Sequence, residues 1–548
     1  MATDTDIWGM SKMESTGHAD SFVRDRLPPP EHWPVFLFDR PEYRYPVMLN
    51  AATRLLDDAV AEGHGDRVAI ISRRGSWTYL ELLETVDRIA RVLVEDFGLV
   101  TGNRVLLHAP NTPMMAAAWL ATLKAGGIAV ATMPLLRSAE LARLVEKAQI
   151  SHALCDVRLI DAVTEAQAHC GSLQSVVTMV EGELEERMGH KTSGFQPAPT
   201  RAEDAALIAF TSGTTGEPKG CVHFHRDVMT MANGFSRHIL RPSANDIFAG
   251  SPPLAFTFGL GGLLVFPLAV RAASVLDEAS GPGGLLESVT RFGATTLFSA
   301  PTGYRAMLTE LHAHRIGSLH SCVSAGEPML KATSDAWRDA TGIRPIDGLG
   351  STEMIHIFLS SPLEALRTGA TGKPVPGYIA RLVDEQMQDV PVGETGRLAV
   401  RGPTGCRYLD DPRQSDYVIE GWNVTGDAYA VDEDGYFWFK SRVDDMIVSS
   451  GYNISGPEVE SVLYAHPAVR ECAVVGVPDE ARGHIVKAVV VLAKGHAPSE
   501  DLVADMQAFV KQRIAPYKYP RIIAFADALP KTETGKIQRF KLRQASQQ

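Results

Sequence analysis

Thr211, Ser212, Gly213, Thr214, Thr215, Gly216, Glu217, Pro218, Lys219 and Gly220 follow directly on an apolar run, residues 205–210. Glycines let backbone N–H groups converge on one anion. The hydroxyls add neutral donors, and Lys219 adds a point charge. Such a set suits a polyphosphate. The spacing is not that of a Walker A loop, because Pro218 precedes Lys219 and Gly220 follows it. No G-x-G-x-x-G follows a strand here either. Four later segments repeat the theme of glycine or hydroxyl residues beside one charge: residues 324–328 (Ser-Ala-Gly-Glu-Pro), 348–353 (Gly-Leu-Gly-Ser-Thr-Glu), 425–427 (Thr-Gly-Asp) and 534–536 (Thr-Gly-Lys).

The elements that must hold these segments are legible in outline. At 548 residues the chain exceeds one core, so more than one domain is expected. Residues 67–72, 104–108, 127–132 and 205–210 read as buried strands, and 79–97 and 113–125 as helices. Their alternation over residues 50–440 predicts α/β layers with parallel sheets. Residues 247–270 carry no charge and are long enough to span a bilayer. Pro252, Pro253, Pro267 and four glycines break the run, which points to a buried strand, loop and helix lining a pocket. Past residues 441–445 the pattern changes to a small α+β module: helices at 458–465 and 499–513, strands at 472–477, 487–492 and 521–525. The expected domains are a poorly ordered N-terminus over 1–30, a large domain over 31–443 and a small mobile lid over 444–548.

Composition narrows the function. The 45% hydrophobic and 22% charged content is that of an ordinary globular protein. A formal charge of −12 without a basic run argues against nucleic-acid partners. Six cysteines show no C-x-x-C pair, so neither metal-ligand spacing nor a disulfide framework is expected. The N-terminus has no basic or apolar signal region, and a cytoplasmic, membrane-free protein is the expectation.

In this order, the five segments resemble the acyl-adenylate-forming superfamily, which holds acyl-CoA synthetases, aryl-CoA ligases, peptide-synthetase adenylation domains and luciferases. The likeness covers about residues 50–543. It is nearest to the benzoate-CoA and 2-aminobenzoate-CoA ligase group, through residues 347–358 (Asp-Gly-Leu-Gly-Ser-Thr-Glu-Met-Ile-His-Ile-Phe) and 256–261 (Phe-Thr-Phe-Gly-Leu-Gly). The resemblance implies roles. Thr211, Ser212, Gly213, Thr214, Thr215, Gly216 and Lys219 would wrap the ATP phosphates, and Glu353 would help hold Mg²⁺. Gly326, Glu327 and Pro328, with Asp347, Gly348, Leu349, Gly350, Ser351 and Thr352, would form the adenine side. Asp427 and Arg442 would reach the ribose. Lys536, with Thr211 and Glu353, would carry the adenylation chemistry. Rotation about Asp444 would then withdraw Lys536 and bring Gly451 and Tyr452 to the arm of coenzyme A. Many relatives place an aromatic residue where Leu349 stands, which removes a stacking contribution here.

The acid pocket is expected at Phe256, Thr257, Phe258, Gly259, Ala325, Gly350, His356 and Ile357. Amino-acid-activating relatives usually carry an aspartate where Thr257 stands, so a substrate ammonium would lie unpaired. Aromatic and glycine neighbours suit a flat ring. The expected activity is therefore an ATP-dependent aryl-CoA ligase, with benzoate or 2-aminobenzoate favoured. Loading of a carrier protein, a nonenzymatic nucleotide or carboxylate sensor, and ATP hydrolysis are the rival readings. Expected partners are a small aromatic carboxylate, ATP and coenzyme A, with a homodimer as one option for assembly. His223 and His225 read as packing or surface histidines.

Overall fold

A computed structural model describes residues 16–546 apart from 213–217, 279–280, 450–451, 480–481, 515 and 532–535. The large domain is built on two mainly parallel sheets. The first runs Ser175–Met179, His152–Asp156, Arg104–His108, Ile128–Thr132, Ala205–Ser212, Pro218–Phe224. Its last pair is antiparallel and sets Thr211 opposite Lys219. The second has nine strands in the order Lys373–Pro374, Ile357–Ser360, Ile346–Gly350, Ser321–Ala325, Thr296–Ser299, Ile247–Gly250, Ala273–Val275, Val68–Ser72, Gly75–Thr78. It is parallel through the middle and antiparallel at both ends.

Local chemistry starts the helices where the sequence places them. Thr78 accepts from the Glu81 N–H while the Glu81 carboxylate takes the Thr78 N–H, a capping box that opens Tyr79–Arg91. Thr112 caps Pro113–Lys124, whose first residue, a proline, has no N–H to leave unpaired. From Met115 onward that second helix is buried on every side, as its continuous apolar character requires.

The strand–helix alternation ends near residue 375. Residues 379–442 instead form an antiparallel sheet of Ile379–Val383, Thr395–Arg401, Trp422–Val431, Val418–Ile419 and Phe437–Arg442. A tight turn at 432–436, where Asp432 accepts the Asp434 and Tyr436 N–H groups, joins two of its strands. A parallel crossover needs a dozen or more residues, so a link this short forces a hairpin.

The small domain is a sheet of Tyr452–Ile454, Ile447–Ser449, Gly483–Leu492, Val469–Asp479 and Ile522–Phe525, carrying Gly456–Leu463 and Glu500–Lys511. The chain is thus an α/β protein with a large N-terminal and a smaller C-terminal domain. No described helix is long and apolar enough to cross a membrane, and residues 247–270 form the strand, loop and buried helical turns expected of them.

The expectation of poor order over residues 1–30 fails for residues 16–30; residues 1–15 lie outside the described set. Val23 is buried, Asp20 pairs with Arg104, and the Asp204 carboxylate accepts both the Gly17 and Arg201 N–H groups. Trp33 donates to the Pro28 carbonyl at 2.7 Å. The proline run thus leads into packed structure and loses little backbone freedom in doing so.

All six cysteines are unpaired and buried. Burial pushes the Cys155 and Cys322 thiols up to about 12.

A buried ion pair joins the first sheet to residues 402–409. The Arg407 guanidinium contacts Asp227 and lies 3.9 Å over the Phe224 ring. Burial alone would raise the Asp227 carboxyl; Arg407, with His223 and Arg226, holds it at about 2. Arg407→Leu should therefore destabilise the large domain by about 3–5 kcal/mol, while Arg407→Leu with Asp227→Leu should recover part of that loss. Urea unfolding of the two variants beside the wild type checks this.

Candidate active site

Of the residues expected at the phosphates, Thr211 and Lys219 face each other at the ends of two paired strands. Gly213, Thr214, Thr215 and Gly216, which join those strands, lie outside the described residues, and only the backbone of Ser212 is described. The Lys219 ammonium sits 4.9 Å over the Tyr408 ring and 3.5 Å from the Tyr408 hydroxyl. That hydroxyl donates to Glu353 Oε1 at 2.6 Å. Burial and the Glu353 charge keep it protonated well above the ordinary tyrosine range. Thr352, next to Glu353, is fixed through its carbonyl, which lies 2.7 Å from His223 Nε2; His223 Nδ1 faces Asp227 at 3.7 Å. His223 is thus a support behind the site. His225 is packing: its Nδ1 accepts the Ala51 N–H, and burial pushes it down to about 3.

The segments expected to hold the nucleoside follow Ser321–Ala325 and Ile346–Gly350, which pair with Ser324 beside Asp347 and Ala325 beside Gly348. Gly326 takes φ +91°, a left-handed turn that glycine adopts without strain. Burial pushes the Asp347 carboxyl up to about 7, and the Gly348 and Met329 N–H groups pull it partway back; its Oδ1 is buried with no hydrogen-bond partner among the described residues. Leu349 packs against the buried cluster that includes Met354, Phe358 and Tyr429. Ser351 lies 3.4 Å from the Tyr417 hydroxyl. Asp427 and Arg442 are cross-strand neighbours paired at 3.0 Å. Burial raises the Asp427 carboxyl and Arg442 opposes the rise.

Of the residues expected at the acid, Phe256 stands at the N-cap of the short helix Thr257–Leu260. The Phe258 ring lies 5.5 Å from Phe298 and 6.0 Å from His356; His356 also meets Phe266 edge-on at 4.7 Å. A Cβ on Gly261 would stand 2.5 Å from the His356 ring, and one on Gly350 would stand 2.8 Å from the His356 backbone. Glycine at both places is what admits the histidine. Burial pushes His356 down to about 3, so it is neutral at physiological pH. Ala325 and Ile357 are buried in the same core. Gly259 faces the Pro252 and Pro253 carbonyls, where any side chain would collide, which makes it a packing position.

Lys536 comes to this cleft from the small domain. Its Cε lies 3.9 Å from the position a Cβ would take on Gly326. Burial raises the neighbouring Glu327 carboxyl, whereas a Thr302 N–H and the Lys536 and Arg305 charges oppose the rise. Arg305 stacks 4.1 Å over the Tyr464 ring, and Ser455 donates to the Lys440 carbonyl, so the small domain is docked. Residues 450 and 451, with the Asp444 and Tyr452 side chains, lie outside the described set. Sequence reasoning missed Tyr408, Arg407 and Asp227. An Arg-Tyr pair after an alternating apolar strand was visible, but its partners lie about 180 and 190 residues away.

Charged groups of both domains therefore gather near the ends of these strands, and a buried aromatic cluster surrounds His356 in the large domain. Known proteins share the plan. Residues 57–407 match the AMP-binding enzyme family and residues 458–536 its C-terminal domain. A benzoate–CoA ligase of Thauera aromatica is 36% identical over 92% of this chain and 98% of its own. The crystal structure of the anthranilate CoA ligase AuaEII in complex with anthranoyl-AMP superposes with a TM-score of 0.88 at 32% identity, over 92% of this chain and 99% of that one. A benzoate CoA ligase from Burkholderia xenovorans LB400 gives 0.83 at 34%, over 90% and 100%. The chain belongs to the AMP-binding enzymes, the acyl-adenylate-forming superfamily. Within it, the protein is an AMP-forming acid–CoA ligase.

Asp347 sets a pH signature. Its folded value of about 7 lies above the ordinary 3.8, so between those values the folded state binds more protons and loses stability as pH rises. The stability of Asp347→Asn relative to wild type should climb from pH 4.5 to 7 and stay flat above, read by urea unfolding across that range.

Proposed function

We propose that the protein is an ATP-dependent aryl-CoA ligase that activates a benzoate-like acid, benzoate or 2-aminobenzoate, through an acyl-AMP. In the first step a carboxylate oxygen bonds to the α-phosphorus and the bond to the bridging oxygen breaks, releasing pyrophosphate. In the second the sulfur of coenzyme A attacks the acyl carbonyl and the C–O bond to AMP breaks.

Lys536 against the Gly326–Glu327 turn is the observation that carries the reading. Lys536 reaches the Gly326–Glu327 turn from a separate domain, and there it would stand between the carboxylate and the α-phosphate. Both reactants are anions, so a fixed cation at that point lowers the barrier. Thr211 and Lys219 would hold the β- and γ-phosphates. Asp427, an acceptor when ionised, would take the ribose hydroxyls with Arg442 beside it. Asp347 and Leu349 would border the adenine.

Glu353 fits a magnesium ion. Tyr408 takes Oε1, and Oε2 has no protein partner among the described residues. Those residues hold no cluster of three or more His, Cys, Asp or Glu side chains suited to a metal. A hard cation shared with ATP needs just one or two protein oxygens. When bound, it supplies neutralisation of the phosphate charge.

The recess favours an uncharged flat ring. His356 is neutral, its neighbours are Phe235, Phe258 and Phe266, and Thr257 offers no carboxylate for a substrate ammonium. A pyrophosphate-release screen over benzoate, 2-aminobenzoate, hydroxybenzoates, cinnamate and medium-chain fatty acids, with free coenzyme A followed in parallel, tests this. Turnover confined to aliphatic acids, or pyrophosphate release that consumes no coenzyme A, contradicts it. Lys536→Ala should cut acid-dependent pyrophosphate release by at least about 10²-fold and leave thioester formation from supplied aroyl-AMP intact. Equal loss of both steps removes the assigned role.

A further inference from the structure

Lys219 and Glu353 carry opposite charges on neighbouring elements, yet among the described residues they form no direct ion pair. Tyr408 stands between them, 2.6 Å from the carboxylate and 3.5 Å from the ammonium. Its place does not depend on those two contacts. The side chain is fully buried. Its N–H donates to Gln414 Oε1 at 2.9 Å, and Gln414 in turn donates to the Cys406 and His32 carbonyls. On either side of it, Arg407 accepts the Val222 N–H and Leu409 donates to Gly220, both at 2.8 Å, which staples the segment along the strand that carries Lys219. The ring packs edge-on against Tyr417 at 5.9 Å. The phenol is therefore a fixed post, and the two charged side chains lean on it.

We propose that Tyr408 is a positioning residue whose hydroxyl aims Glu353 and keeps it apart from Lys219, so that the carboxylate stays open to a divalent cation and the ammonium to the ATP phosphates. Without the hydroxyl the two side chains can close on each other. Each then neutralises the other, and the cation loses its carboxylate oxygen. This inference rests on the proposed ATP chemistry of the same cleft.

Tyr408→Phe keeps every backbone bond and the ring packing and deletes one oxygen. Binding of the nonhydrolysable α,β-methylene-ATP is measured by calorimetry as a function of magnesium concentration, with the unfolding midpoint recorded alongside. The concentration for half-maximal binding should rise about tenfold, as for loss of a group that orients a metal ligand, with the midpoint nearly unmoved. In a Glu353→Gln background the same substitution should change it less than about twofold, because the oriented group is already gone. An unchanged magnesium requirement, or equal effects in both backgrounds, overturns the proposal. A wild-type protein that releases no pyrophosphate with any acid, while the tenfold shift persists, refutes the ligase chemistry and leaves the role of Tyr408 standing.

Discussion

The pairing of Arg407 with Asp227 is the constraint around which the cleft is assembled. A guanidinium and a carboxylate, both fully buried, tolerate burial only together. Asp227 starts the helix behind the strand of Lys219, and Arg407 precedes Tyr408. The same carboxylate faces His223, which holds the Thr352 carbonyl next to Glu353. One pair thus fixes the relative positions of three segments far apart in the chain. Phe224, Phe36 and Trp33 enclose it and exclude the water that would weaken it.

Beside this buried pair stands the small domain. Lys536 belongs to a domain with its own sheet and its own apolar core. The described contacts that dock it include one stacked cation, Arg305 on Tyr464, and a hydroxyl-to-carbonyl bond. A partly solvated stacking of this kind is worth about 0.5–1 kcal/mol.

Much of the chemistry was legible because each charged group sits in its own glycine and hydroxyl setting, and five such settings in order are rare. The structure sets Lys219 and Glu353 on either side of Tyr408, pairs Asp427 with Arg442, and brings Lys536 beside Gly326. What escaped was everything fixed by distant pairing. The antiparallel sheet of residues 379–442 carries no local mark separating it from buried parallel strands until its turns are seen. Residues 16–30 looked loose because prolines and polar residues dominate them, while their anchors, Asp204 and Arg104, lie far along the chain. Tyr408 drew no attention in the sequence, because a buried tyrosine carries no local sign of the contacts that it makes with Glu353 and Lys219. Gly259 shows the reverse error: it neighbours the acid recess in sequence, but its bare face serves the proline carbonyls behind it.

The six sequestered sulfurs have a bearing on the thiol that an acid–CoA ligase must handle. Exchange between a thiol and a protein disulfide or sulfenic acid begins from an accessible thiolate. Here every cysteine is buried, and burial holds each one in the protonated form. No cysteine of the chain therefore presents a ready thiolate for exchange with the disulfide form of a small thiol such as coenzyme A.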